Sequence, residues 1–332
     1  MSSEAIARRD LEIESAPGIR LAVRHVAAAD TPSTKIPVIL LHGARVPGIP
    51  SFDLDCPDGS LAADLARAGH DVFIMDARGY GGSTRIGQEG DPAEAQILSP
   101  SNEVVEDIEA VAQAVRRHTG RQVLGLLGWA TGGHWVGMFA ARHADPDLKI
   151  ILYNSLYGAE RGHPVLGPGG PLADAEEPDR LDARKLGGFG YSTAESLLPS
   201  WDASIPAENK EEWRDPVLLR AYQDAALASD PSSYTRNPPA FRAPNGAMAD
   251  SFTLAGGHRL WDAGDITAHV LLIRSENDFW SRPGDLTALA DELTKAASLR
   301  VLELPQATHY VHLDRPEKGR REMCEEVLAF LA

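Results

Sequence analysis

Apolar and polar positions follow two alternating rhythms along this chain. Short, nearly continuous apolar runs occur at residues 38–42 (VILLH), 71–76 (DVFIMD), 121–128 (RQVLGLLG), 149–153 (KIILY), 269–275 (HVLLIRS) and 299–304. Such runs suit strands buried on both faces of a parallel sheet. Between them lie stretches with helical spacing at 60–68, 103–117, 131–141, 283–296 and 315–331. In 103–117, Val104, Ile108, Val111 and Val115 share one helix face, and Gly120 follows as a stop. Near the N-terminus, 11–15 and 19–26 have the pattern of a hairpin of half-buried strands. The order predicts an α/β protein with a mostly parallel, doubly wound sheet.

The rhythm breaks from residue 158 to 265, where Pro, Gly and charge dominate and one clear helical stretch lies at 215–227. Segments this long are uncommon in compact domains unless they serve as lids or binding loops. This one is read as an inserted, largely helical cap, with 1–157 and 266–332 forming the core.

Composition narrows the partners. With 48 Asp and Glu against 32 Lys and Arg, the net charge is −16. That opposes binding to nucleic acid or an anionic membrane surface, where basic groups supply most of the affinity. The opening MSSEAIARRDLEIES has no apolar core of the kind a signal peptide carries, and no later run approaches the ~20 residues that span a bilayer. Cys56 and Cys324 read as unpaired thiols of a reducing cytoplasm. The partner expected is a small molecule; the sequence leaves a homodimer open.

The most informative stretch is Gly128-Trp129-Ala130-Thr131-Gly132, a G-x-S-x-G nucleophile elbow with alanine in place of serine. Its context is a buried strand before it and a helical pattern after it. Small residues two positions either side, with Gly133 beside them, allow strand and helix to approach closely. A methyl group cannot attack a carbonyl.

Taken together, VILLHGAR (38–45), DVFIMDARGYGGS (71–83), LLGWATGG (126–133), LLIRSENDFW (271–280) and THYVHLDRP (308–316) resemble the α/β-hydrolase superfamily, in the right order and over nearly the whole core. The resemblance implies the α/β-hydrolase fold and a triad in chain order nucleophile, acid, base. The matching positions are Ala130, Asp278 and His309. A serine hydroxyl needs a neutral imidazole to take its proton, and that imidazole needs a carboxylate to fix its tautomer. Asp76, also at a strand end, is the alternative acid, although it suits a turn cap better. His312 competes with His309 as base, while His134 and His143 read as core or surface histidines. The oxyanion donors would be the backbone N–H groups of Ala44 and Thr131.

Arg45 follows the oxyanion loop, and its planar fork suits a substrate carboxylate; surface solvation is its other reading. Of six tryptophans, Trp129 and Trp280 adjoin triad positions and are candidate substrate-binding walls, whereas Trp201, Trp213 and Trp261 fall in the cap.

The expected activity is hydrolysis of a carboxylic ester or lactone through an acyl-enzyme, with no metal or cofactor. The chain as written is read as a deliberate serine-to-alanine form that still binds substrate. A C–C bond hydrolase with the same triad is an alternative, as are a ligand-binding protein on this fold and a cofactor-free oxygenase.

Overall fold

The computed structural model describes residues 5–87, 91–94, 96–163 and 166–332. The first four residues of the N-terminal stretch and residues 164–165 of the expected cap lie outside them. In chain order the strands are β1 (Ile6–Ala16), β2 (Ile19–Ala28), β3 (Val38–Leu41), β4 (Val72–Met75), β5 (Gly125–Trp129), β6 (Lys149–Tyr153), β7 (Phe189–Thr193), β8 (Ala240–Pro244), β9 (His269–Asn277) and β10 (Ser298–Thr308). The helices are α1 (Gly48–Phe52), α2 (Leu61–Arg67), α3 (Ser101–Thr119), α4 (Thr131–Arg142), α5 (Ala183–Leu186), α6 (Leu198–Ser204), α7 (Pro216–Ala228), α8 (Gly246–Ala255), α9 (Pro283–Glu292) and α10 (Arg320–Leu331).

Eight strands form one sheet in the order β1-β2-β4-β3-β5-β6-β9-β10. The β1–β2 hairpin joins antiparallel to β4, and every pairing from β4 to β10 is parallel. The apolar runs explain why: every residue of β3 and β4 is buried, and successive side chains enter opposite cores. Val38, Leu40, Val72, Ile74, Leu127 and Ile151 face one layer, with Leu61 and Leu65 of α2 and Val327 of α10. Ile39, Leu41, Phe73, Met75, Leu126 and Ile150 face the other, with Val104 and Ile108 of α3, Trp135 and Phe139 of α4, and Leu289 of α9. Gly120 ends α3 in the left-handed region at φ 69°, as its position predicts.

Residues 154–268 leave the sheet at the end of β6 and rejoin it at β9. The helix expected at 215–227 is α7. The apolar pattern of this segment does not reveal β7 and β8, which form a separate two-stranded antiparallel sheet. Each is five residues long, and Gly190 and Pro244 hide the alternation that would reveal them. The excursion is also tied to the main layers: Asp250 of α8 accepts hydrogen bonds from the Ser101 N–H (2.7 Å) and hydroxyl (2.5 Å) at the start of α3.

Candidate active site

The strand–turn–helix at residue 130 has the geometry its sequence implies. Ala130 ends β5 and starts α4 with φ 52° and ψ −115°, and it is buried. For an L-residue this backbone lies outside the usual basins and stores about 1–3 kcal/mol of strain. Glycine is required on both sides for space. A Cβ on Gly128 would overlap the backbone of Gly132 and Gly133, and one on Gly132 would press into the carbonyl oxygens of Leu41 and His42 at the end of β3.

The imidazole of His309, just beyond β10, lies against Asp278, just beyond β9. His309 Nδ1 and Asp278 Oδ1 are 2.5 Å apart. A carboxylate can only accept, so the proton is on Nδ1 and the Nε2 lone pair is free to act as a base. The Asp278 carboxylate also accepts from the N–H of Trp280 (2.9 Å), the N–H of Ser281 (2.8 Å) and the Ser281 hydroxyl. The His309 backbone is clamped as well: its carbonyl accepts from Trp129 Nε1 (3.0 Å), the Tyr153 hydroxyl (3.0 Å) and Asn154 Nδ2 (3.2 Å).

His309 and Ala130 line one cavity of roughly 330 Å³, at the small end of the ~300–1,000 Å³ range of ligand pockets. From the sheet side the walls are Gly43 to Val46, Trp129 to Thr131, Phe279, Trp280 and Tyr310; from the excursion they are Leu166, Ser196, Pro199, Ser200, Tyr222 and Met248. A Cβ on Gly43 would stand 3.6 Å from the Ala130 methyl, so this glycine keeps open the space beside residue 130.

Ala44 and Thr131, the expected oxyanion donors, both face this cavity. The Thr131 N–H lies in the first turn of α4, where a helix offers its N–H groups no internal acceptor. Ala44 is held from behind, its carbonyl accepting from the buried Tyr80 hydroxyl at 2.9 Å. His42 supports the same loop, with Nδ1 donating to the Gly43 carbonyl at 2.7 Å and Nε2 accepting from the Ala77 N–H at 3.2 Å. Burial pushes its pKa down, in keeping with that neutral tautomer.

The competing residues have other places. Asp76 accepts from the N–H groups of Gly48 (2.8 Å) and Gly82 (3.0 Å) and so fixes turns. His312 is buried edge-on to Trp129, with ring centroids 4.5 Å apart, and donates from Nδ1 to the Tyr153 oxygen at 3.2 Å. Burial, and then the neighbouring His309, hold its pKa well below the ordinary histidine value. His134 accepts from Trp261 Nε1 at 3.0 Å, and burial lowers its pKa to about 4. His143 lies on the flank of α4 against Phe139.

The tryptophans expected in the cap divide. Trp201 of α6 stacks on Tyr310 at 4.8 Å and 22°. Trp213 donates to the Gln306 carbonyl at 3.1 Å. Trp261 packs instead on the core: a Cβ on Gly137 of α4 would clash with its indole. None of the three lines the cavity.

Several residues not singled out from the sequence hold the site together. Asn154, at φ 48°, directly follows β6, and its Oδ1 accepts from the Ser275 N–H of β9 at 2.7 Å. Asp314 is fully buried and accepts from Trp201 Nε1 (2.9 Å) and the Thr308 hydroxyl (2.6 Å), joining α6 to the loop that carries His309. Burial raises its pKa to about 7, against the opposing pull of those two donors. Cys56 and Cys324 are both free. Among the described residues no group of three or more His, Cys, Asp or Glu side chains is placed to hold a metal ion, and no helix is long and apolar enough to cross a membrane.

Comparison with known proteins gives one family. The family model for the alpha/beta hydrolase fold matches residues 36–316. No curated protein matches the chain by sequence. Among solved structures, the chain is similar to the esterase RhEst1 from Rhodococcus sp. ECU1013, with 17% identity, a TM-score of 0.60 and coverage of 97% of this chain and 98% of that one. It is also similar to E-2-(acetamidomethylene)succinate hydrolase, with 18% identity, a TM-score of 0.58 and coverage of 98% and 99%. A third is a serine-to-alanine mutant of the meta-cleavage product hydrolase of Pseudomonas fluorescens IP01, complexed with acetates, with 14% identity, a TM-score of 0.58 and 96% coverage of each chain.

Proposed function

The chain belongs to the alpha/beta hydrolase fold family, and from that premise we propose that it is the framework of a serine-type hydrolase of carboxylic esters or lactones, silenced at one atom by Ala130. The observation that carries this reading is that His309, paired with Asp278 behind it, lines the same cavity as the strained residue 130. With serine at 130, the hydroxyl proton passes to His309 Nε2 as the oxygen adds to the substrate carbonyl. The N–H groups of Ala44 and Thr131 hold the resulting oxyanion. The imidazolium then protonates the leaving alcohol; in the second half His309 takes a proton from water as it adds to the acyl group and returns it to the serine oxygen as the acid leaves. In this reading residues 158–265 form the cap, the alanine is a replacement for serine, and the chain as written binds its substrate without cleaving it.

The alanine itself favours a second reading, a ligand-binding protein that has no use for a nucleophile. One protein decides between them. Ala130→Ser is expected to hydrolyse 4-nitrophenyl esters or simple lactones and to be labelled by a fluorophosphonate, with kcat on the order of 10⁶-fold above the alanine chain, the loss seen when a serine triad is deprived of its nucleophile. A folded Ala130→Ser protein that is inert to esters, lactones and vinylogous diketones, and takes up no label, overturns the hydrolase reading. Cleavage of the diketones alone points to C–C bond hydrolysis, which the likeness to the meta-cleavage product hydrolase keeps in view.

A further inference from the structure

The cavity wall includes one permanent charge. Arg45 is the only lysine, arginine, aspartate or glutamate among the described lining residues, and the walls around it are largely aromatic, from Trp129, Tyr222, Phe279, Trp280 and Tyr310. In a chain with 48 acidic residues against 32 basic ones, acidic partners are plentiful. Several partly or fully buried arginines have them, as Arg78 has Asp107 at 2.7 Å and Arg282 has Asp285 at 2.8 Å, although the buried Arg274 donates only to the Ser281 carbonyl, at 3.4 Å. Arg45 has no carboxylate within salt-bridge distance among the described residues; its guanidinium makes one long hydrogen bond, 3.4 Å, to the Ser196 carbonyl.

Its backbone is fixed on both sides. Tyr80 holds the Ala44 carbonyl, and Asp76 accepts from the Gly48 N–H. The half-buried cation therefore stands one residue beyond a proposed oxyanion donor, with most of its five donors unused. Such a fork matches a carboxylate, and a carboxylate brought in by a ligand would satisfy donors that the protein leaves open.

We propose that Arg45 is a specificity residue for substrates carrying a second, free carboxylate on an apolar or aromatic body, such as the half-ester of a dicarboxylic acid. This deepens the hydrolase reading and rests on it for the reaction, though not for binding. The test uses two esters of matched length, mono-4-nitrophenyl glutarate and 4-nitrophenyl valerate, which differ by a carboxylate in place of a methyl group. The alanine chain, which leaves both intact, is titrated with each by tryptophan fluorescence, and kcat/KM for each is measured in Ala130→Ser.

The anionic ester is expected to be favoured ~10- to 100-fold, the range of a hydrogen bond to a charged group, and the ratio should fall toward one in Arg45→Gln and partly in Arg45→Lys. Added salt should also reduce the preference in both chains that keep Arg45, in binding to the alanine chain and in kcat/KM of Ala130→Ser, which tests the charge without any substitution at 45. If the two esters bind and react alike, or the preference survives in Arg45→Gln, the inference is wrong while the hydrolase reading stands. If Ala130→Ser is inert but the alanine chain still prefers the anionic ester through Arg45, the anion site stands and the hydrolase reading falls.

Discussion

Replacing Asp314 with asparagine should change how stability depends on pH, in a direction the structure dictates. The Asp314 carboxyl is fully buried where Trp201 of α6 meets the His309 loop, and burial raises its pKa from 3.8 to about 7. Protonation is therefore easier in the folded than in the unfolded chain. The stability this gives is complete below pH 3.8, declines as pH rises and the unfolded state ionises first, and is gone once pH passes about 7. The difference of about 3 pH units corresponds to about 4 kcal/mol at 1.36 kcal/mol per unit. Asparagine keeps an acceptor for Trp201 Nε1 but has no proton to lose. Asp314→Asn should thus match the parent near pH 4 and exceed it by up to about 4 kcal/mol near pH 8. Urea unfolding of both chains from pH 4 to 8, followed by tryptophan fluorescence, gives the difference directly. The buried neutral histidines act in the opposite direction, but both chains share them and they cancel. A difference that stays flat across the window, or grows toward acid, refutes the reasoning.

Two further outcomes test the site and its scaffold. In the Ala130→Ser background, Asp278→Asn should lower kcat about 10⁴-fold with little change in KM, because the carboxylate that holds the proton on Nδ1 is gone; a loss below tenfold in the same ester assay would remove Asp278 from the mechanism. Gly132→Ala should lower stability by about 1–3 kcal/mol or more, since its methyl must displace the Leu41 and His42 carbonyls. An unchanged thermal midpoint would mean that α4 does not approach β3 as closely as described.

The sheet was legible because its strands are buried on both faces and so read as apolar runs. Their ends were less so. The run expected from 121 begins as strand only at Gly125, where pairing with Val38 starts, and β10 continues past Leu304 to Thr308 across an irregularity in register. The elbow, Asp278 and His309 could be picked out because each lies in a local motif. Asn154, Ser281 and Asp314 could not. A single asparagine after an apolar run is a common strand ending, and its partners here, Ser275 and His309, are more than a hundred residues away. The same holds for Asp314, whose partner Trp201 is 113 residues distant, and for Trp261, whose place on α4 depends on the absence of a side chain at Gly137.

The backbone at residue 130 has a consequence for the history of the chain. A positive φ penalises any residue with a β-carbon, so inheritance that rewards folding alone draws this codon toward glycine. Inheritance that rewards turnover draws it toward serine. Alanine answers neither pull: it keeps the steric burden of the one and forgoes the oxygen of the other.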